Sequence, residues 1–170
     1  MVNSREIQGE FRTELMYNTF MQNKIGKVWS VFPLCGKTYC TNLVGVDAVD
    51  SDSSKFSWVE NNGKKERNPD FPKNYIEHIK DAITKHEHVF VSSHQEVRDA
   101  LKNENIPFIL VYPHRNCLSE WIERYNEREY NGFPLQVLVN NWEKWHDELD
   151  AQECENKIIL NNNDFLINIL

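Results

Sequence analysis

In the run Val31-Phe32-Pro33-Leu34-Cys35-Gly36-Lys37-Thr38 the last three residues carry a definite chemistry. A loop that cradles phosphate needs backbone N–H groups turned inward, a lysine reaching the β- and γ-phosphates, and a hydroxyl for Mg²⁺. Gly36, Lys37 and Thr38 supply one glycine, the ammonium and the hydroxyl. The apolar run Lys27–Phe32 leads in, so a buried strand would deliver the loop to the start of a helix. The pattern departs from the usual one at Val31, where a glycine is expected, and at Leu34 and Cys35, where small residues are commoner. A chance Gly-Lys-Thr in an ordinary strand-to-helix turn is the competing reading.

Asp50 and Asp52 follow the second apolar run, within Asp50-Ser51-Asp52-Ser53-Ser54. Ligands collect at the C-terminal edge of a parallel sheet. A carboxylate there can take a proton from an attacking hydroxyl or hold Mg²⁺ through water. The same cluster is also good turn and capping chemistry. Arg124 and Arg128 stand at i and i+4, a like-charge spacing that costs a few tenths of a kcal/mol on a helix. Either Glu120 offsets Arg124 in a salt-bridged face, or the two guanidinium groups, with Arg115 nearby, converge on phosphate oxygens. Ser92-Ser93-His94 closes a third run without the acidic residue of a conventional second Mg²⁺ motif, and Arg98 lies one turn further on. His78, His86, His88 and His94 match no metal-ligand spacing.

These residues need elements to hold them. An amphipathic helix is expected over Arg5–Gln22, with Phe11, Leu15, Met16, Phe20 and Met21 at helical spacing. Strands are expected at Lys27–Phe32, Leu43–Val49, His88–Ser92, Pro107–Tyr112 and Lys157–Leu160. Between them, any helix after Thr38 must be short, Glu60–Asn68 reads as a charged loop, and Asn74–His86 and Gln95–Asn103 read as helices. Cys117–Tyr130 and Phe133–Asp150 read as two more, the second with an apolar stripe through Trp142 and Trp145, and Asp164–Leu170 as a terminal helical turn. Strand followed by helix five times implies a parallel sheet with right-handed crossovers. The fold class expected is α/β, a five-stranded parallel sheet sandwiched by helices: an extension over residues 1–26, then one domain over 27–170.

Composition agrees. Of 170 residues, 40% are apolar and 12% aromatic, enough for one packed domain. A net charge of −7 excludes a protein that coats DNA through many cationic contacts. Cys35, Cys40, Cys117 and Cys154 form no CxxC pair and read as reduced thiols. No run approaches the roughly 20 apolar residues of a membrane span, and the polar first residues do not read as a secretory signal. A cytoplasmic protein without a membrane partner is expected.

In the order and spacing of its motifs, the chain resembles small P-loop kinases of the nucleotide-kinase type encoded by bacteriophages, a group that includes 5-hydroxymethyluracil DNA kinases. The likeness rests on Phe32-Pro33 before Gly36-Lys37-Thr38, on Asp50 to Phe56, and on Asn68 to Ile76. Val91-Ser92-Ser93-His94, Val97-Arg98, Tyr112-Pro113, Glu123-Arg124, Arg128 and Asn141-Trp142 complete it. It implies a P-loop NTPase-like sheet with a helical lid. The implied activity is ATP-dependent phosphoryl transfer to a nucleotide-type acceptor: a nucleoside monophosphate, or a hydroxymethylated pyrimidine free or within DNA. ATP would lie along Pro33, Leu34, Cys35, Gly36, Lys37, Thr38 and Tyr39, with Mg²⁺ at Thr38 and Asp52. Lys37, Asp50, Asp52, Arg124 and Arg128 would be catalytic, the two arginines as a lid. Ser53, Ser54, Phe71, Asn74, Ser93 and Arg98 would bind the acceptor. The alternative is a non-catalytic P-loop protein that binds a nucleotide or a host partner, motivated by Val31 and the missing acidic residue.

Overall fold

The computed structural model describes residues 25–170; the helix expected over Arg5–Gln22 lies outside them. The first strand, β1 (Lys27–Val31), is buried along Val28–Val31 because it runs between two parallel neighbours. Those are β5 (His88–Ser92) and β6 (Phe108–Pro113). With β2 (Ala48–Asp50) beyond β5 and β7 (Asn156–Leu160) beyond β6, the sheet has the order β2-β5-β1-β6-β7, parallel throughout. The expected five-stranded parallel sheet is therefore present.

The connections explain where a ligand would sit. From β1 the chain moves outward to β2, whereas from β6 it moves the opposite way to β7. The loop after β1 thus lies at a topological switch point, where the strand ends leave a crevice. The connections contain α1 (Lys37–Thr41), α2 (Ser54–Ser57), α3 (Lys73–Ala82), α4 (Gln95–Asn103), α5 (Leu118–Glu127) and α6 (Leu135–Ala151). Right-handed crossovers place α3, α4 and α6 on one face, since their connections all step the same way across the sheet, and α1 on the other. Buried apolar positions repeat at helical spacing on α3 (Tyr75, Ile76, Ile79, Ala82) and α6 (Leu138, Trp142, Leu149). Phe32 at the end of β1 meets the rings of Trp142 and Trp145 edge-on at 5.9 Å.

Several expectations are corrected. The run Leu43–Val49 yields only a short edge strand: Val44 is fully exposed and Gly45 is left-handed (φ +90°), so the chain turns there before pairing begins at Ala48. Glu60–Asn68 is not a loop. It contains most of an antiparallel hairpin, β3 (Trp58–Asn61) and β4 (Lys64–Arg67), closed by Asn62-Gly63 with φ of +51° and +74°. Two left-handed residues of this type match the twist of paired strands. The Cys117–Tyr130 helix divides into a 3₁₀ turn (Arg115–Cys117) and the shorter α5.

Candidate functional site

The Val31–Thr38 loop is held from behind by its carbonyl oxygens. Trp121 Nε1 donates to Pro33 O at 2.9 Å, Arg124 Nη1 to Leu34 O at 3.3 Å, and Leu166 N to Cys35 O at 2.9 Å. Phe32 N bonds Val111 O at 2.8 Å, anchoring the start of the loop to β6. With the carbonyls drawn back, the N–H groups face the other way. Among the described residues, no acceptor is found for the successive N–H groups of Gly36, Lys37, Thr38 and Tyr39. Leu34 and Gly36 are both left-handed, at φ +67° and +99°. Left-handed residues interspersed with right-handed ones curl N–H groups into an anion-binding concavity. Leu34 adopts that conformation at a cost of about 1–2 kcal/mol, so the surrounding bonds must hold it there.

One face of α5 does much of this holding. Trp121, Arg124 and Arg128 follow at i, i+3 and i+7, and each addresses the loop at a different point. Arg124 is buried. It pairs with Glu120, donates to Asp164 O at 2.8 Å, and lies between the rings of Trp121 and Phe165 at 4.1 and 3.9 Å. Glu120 in turn accepts from Asn163 N at 2.9 Å. The expectation of Arg124 as a mobile lid residue does not match this placement: its guanidinium is committed to the protein and braces the loop. Arg128 is different. It is exposed, and its Nη2 donates to Thr38 Oγ1 at 2.9 Å.

The two aspartates also separate. Asp52 is exposed and its oxygens accept from Ser54 N and Ser54 Oγ at 2.9 and 2.8 Å, closing an Asx-type turn that leads into α2. Asp50 ends β2 half-buried, and its Oδ1 is closed to solvent without a hydrogen-bond partner. Burial raises the pKa of its carboxyl above the ordinary range, opposed by Lys37, reinforced by Asp52, and opposed again by Arg128 and Lys55. Those charges therefore share one edge of the sheet. Cys35, buried within the loop, has its thiol pushed up to about 12, chiefly by burial, which leaves it inert at neutral pH.

Tyr75 clasps two strand ends, its hydroxyl donating to Ser51 O and accepting from Ser92 N at 3.4 Å. Ser51 Oγ shares a 2.9 Å hydrogen bond with His78. Phe71 is buried and stacks on Tyr75 at 5.9 Å, and Phe56 lies 5.1 Å from Tyr75 and 4.7 Å from His78. Asn74 donates from Nδ2 to Phe56 O at 3.0 Å and leaves Oδ1 buried without a partner. Ser53 is buried at the N-cap of α2. Ser93 and Arg98 lie apart in role: the buried Arg98 donates to Ser93 O at 2.9 Å and to the Gln152 side chain, tying the β5–α4 turn to the end of α6. Tyr39 is exposed on α1. Arg115 is held by Glu143, Asp147 and Asp150, away from the loop.

Trp121 and the Asp164–Leu166 segment are the participants that the residue pattern did not single out, whereas Glu120 pairs with Arg124 as the competing reading of that helix face expected. Trp121 falls on the apolar stripe of its helix, so its indole N–H gave no separate signal. Neither models of protein families nor the sequences of curated proteins match this chain. The site must therefore be read from its own geometry.

Proposed function

We propose that this chain is a phosphotransferase that moves the γ-phosphoryl group of ATP to a nucleotide-type acceptor, on a P-loop-like fold and in the cytoplasm, that of the host if a phage encodes it. The observation that carries the reading is the row of unsatisfied N–H groups from Gly36 to Tyr39 beside Lys37, at the switch point of a parallel sheet. Backbone donors with a lysine ammonium are the chemistry that polyphosphate needs. Thr38 Oγ1 and the orphaned Asp50 Oδ1 fit a Mg²⁺ carried in on the phosphates, since this ion keeps several waters and needs few protein oxygens. When bound, the ion would neutralise charge on the bridging oxygens. Arg128 can turn from Thr38 to the phosphoryl group, and Asp50 can accept a hydrogen bond from the acceptor. Positioning and charge neutralisation are most of what phosphoryl transfer asks of a protein.

The test is transfer from γ-labelled ATP across a panel of nucleoside monophosphates, nucleosides and hydroxymethylated DNA. Lys37→Ala should abolish transfer while the fold persists, because Lys37 opens the short α1 without being buried and acts mainly in the transition state. ATP binding without transfer to any acceptor would favour a non-catalytic nucleotide-binding protein. Wild-type turnover by Lys37→Ala would end the phosphate-loop reading.

A further inference from the structure

Between α4 and α6 lies an open cleft of about 480 Å³, none of whose lining residues belongs to the loop after β1 or to the end of β2. Its volume suits a small ligand. The lining includes Arg98, a side chain 2% exposed that the proposed transfer does not use. A guanidinium taken out of water is ordinarily matched by a carboxylate. Arg98 forms no ion pair among the described residues: its Nε donates to Ser93 O at 2.9 Å and its Nη1 to the Gln152 side chain, both neutral. Nη2 donates to none of them. It is not sealed in either, since the closed-off, unpartnered side-chain atoms among those residues are Asp50 Oδ1 and Asn74 Oδ1. Nη2 is therefore the free prong of the fork, open to the cleft that Arg98 lines.

Carboxylates rim the same cleft in two conditions. Asp147 is held by Arg115 and Glu153 by Lys102. The exposed Asp99 side chain, next to Arg98 on α4, makes no hydrogen bond or ion pair among the described residues, and Glu148 meets only Lys144, at 3.8 Å. Both lie close enough to act on the guanidinium: burial lowers its pKa, and Asp99 and Glu148 oppose that. The cleft thus holds an unused cationic donor and, beside it, unused acceptors that do not reach it. A simple anion would meet Arg98 but face four carboxylates, and a simple cation would meet those but face Arg98 and Lys102. A molecule carrying both charges satisfies both sides through charge-assisted hydrogen bonds.

We infer that this cleft is a second ligand site, separate from the phosphate loop, for a small zwitterion of the α-amino-acid type. Its carboxylate accepts from Arg98 Nη2, and its ammonium donates toward Asp99 and Glu148. The Gln95 amide, also on the lining, can add a donor to the carboxylate.

Calorimetric titration of the whole chain, without nucleotide, with each of the common amino acids tests this. At least one should bind at millimolar concentration or below. Its N-acetyl derivative lacks the ammonium and its methyl ester lacks the carboxylate, so each should bind about tenfold more weakly or worse. Asp99→Asn, at an exposed position, should weaken binding by a similar factor with the melting temperature unchanged. Absence of binding by every amino acid overturns the inference, as does a derivative or an Asp99→Asn protein that binds as tightly as its parent. Acetate or putrescine binding more tightly than any amino acid would overturn it too, in favour of a simple anion or cation.

Discussion

Arg124 and Arg128 share a helix and a charge, yet their surroundings give them opposite roles. Arg124 fills a slot between two aromatic rings and is paired with Glu120, whose side chain is 18% exposed. Arg124→Ala breaks a nearly buried pair and leaves Leu34 O and Asp164 O without their donor. A loss of about 3 kcal/mol is expected, read as a lower urea midpoint. Arg128→Ala, at an exposed position, should leave that midpoint nearly unchanged and slow transfer. Equal stability losses in the two variants would contradict the division. Asp50 makes a second residue-scale case. Its pKa in the fold lies above its unfolded value, so its contribution to stability is complete below the unfolded pKa and is lost as pH rises through the folded one. At neutral pH the ionised carboxylate therefore weighs against folding. Asp50→Asn should raise the melting temperature while transfer collapses, and wild-type transfer should decline on acidification at a pH higher than an ordinary carboxylate would give. A destabilised but active Asp50→Asn protein would return Asp50 to a structural role.

Among the elements, the β3–β4 hairpin is the one most loosely joined to the core. All its strand residues are exposed; Lys65 and Arg67 lie against the ring of Trp58 within the hairpin itself, and its side-chain links outward are Arg67 against Phe71 and Arg67 with Glu96. A two-stranded ribbon of this kind is marginal by itself. Replacing Asn62-Gly63 by Ala-Ala, which disfavours left-handed residues, should speed amide exchange across both strands and leave the global melting temperature within a few degrees. A large drop in melting temperature would mean that the hairpin belongs to the cooperative core. The hairpin also marks where sequence reading failed. Its residues are too polar for an alternating pattern to stand out, and the Asn-Gly turn was the one available cue. Where burial is two-sided the pattern was plain, as at Lys27–Val31, His88–Ser92 and Phe108–Tyr112, which lie within the three central strands of the sheet. The Leu43–Val49 run misled because an apolar residue such as Val44 can sit in a surface turn when a left-handed glycine follows it.

For the molecule as a whole, the sheet order brings distant segments to one edge: the loop after β1, the end of β2, the first turn of α3 and the far end of α5. Chain order already suggested the first two. What it did not reveal was the division of labour there, because Asp50 and Asp52, or Arg124 and Arg128, differ only in three-dimensional partners. The central claim is that the concave row of N–H groups after β1 receives polyphosphate. Amide-resolved hydrogen exchange on the whole chain, with and without saturating Mg·ATP, tests it most directly. Slowed exchange at Gly36, Lys37, Thr38 and Tyr39, lost in Lys37→Ala at the same ATP concentration, is the result predicted. Unchanged exchange at those four amides while ATP is demonstrably bound would contradict the account.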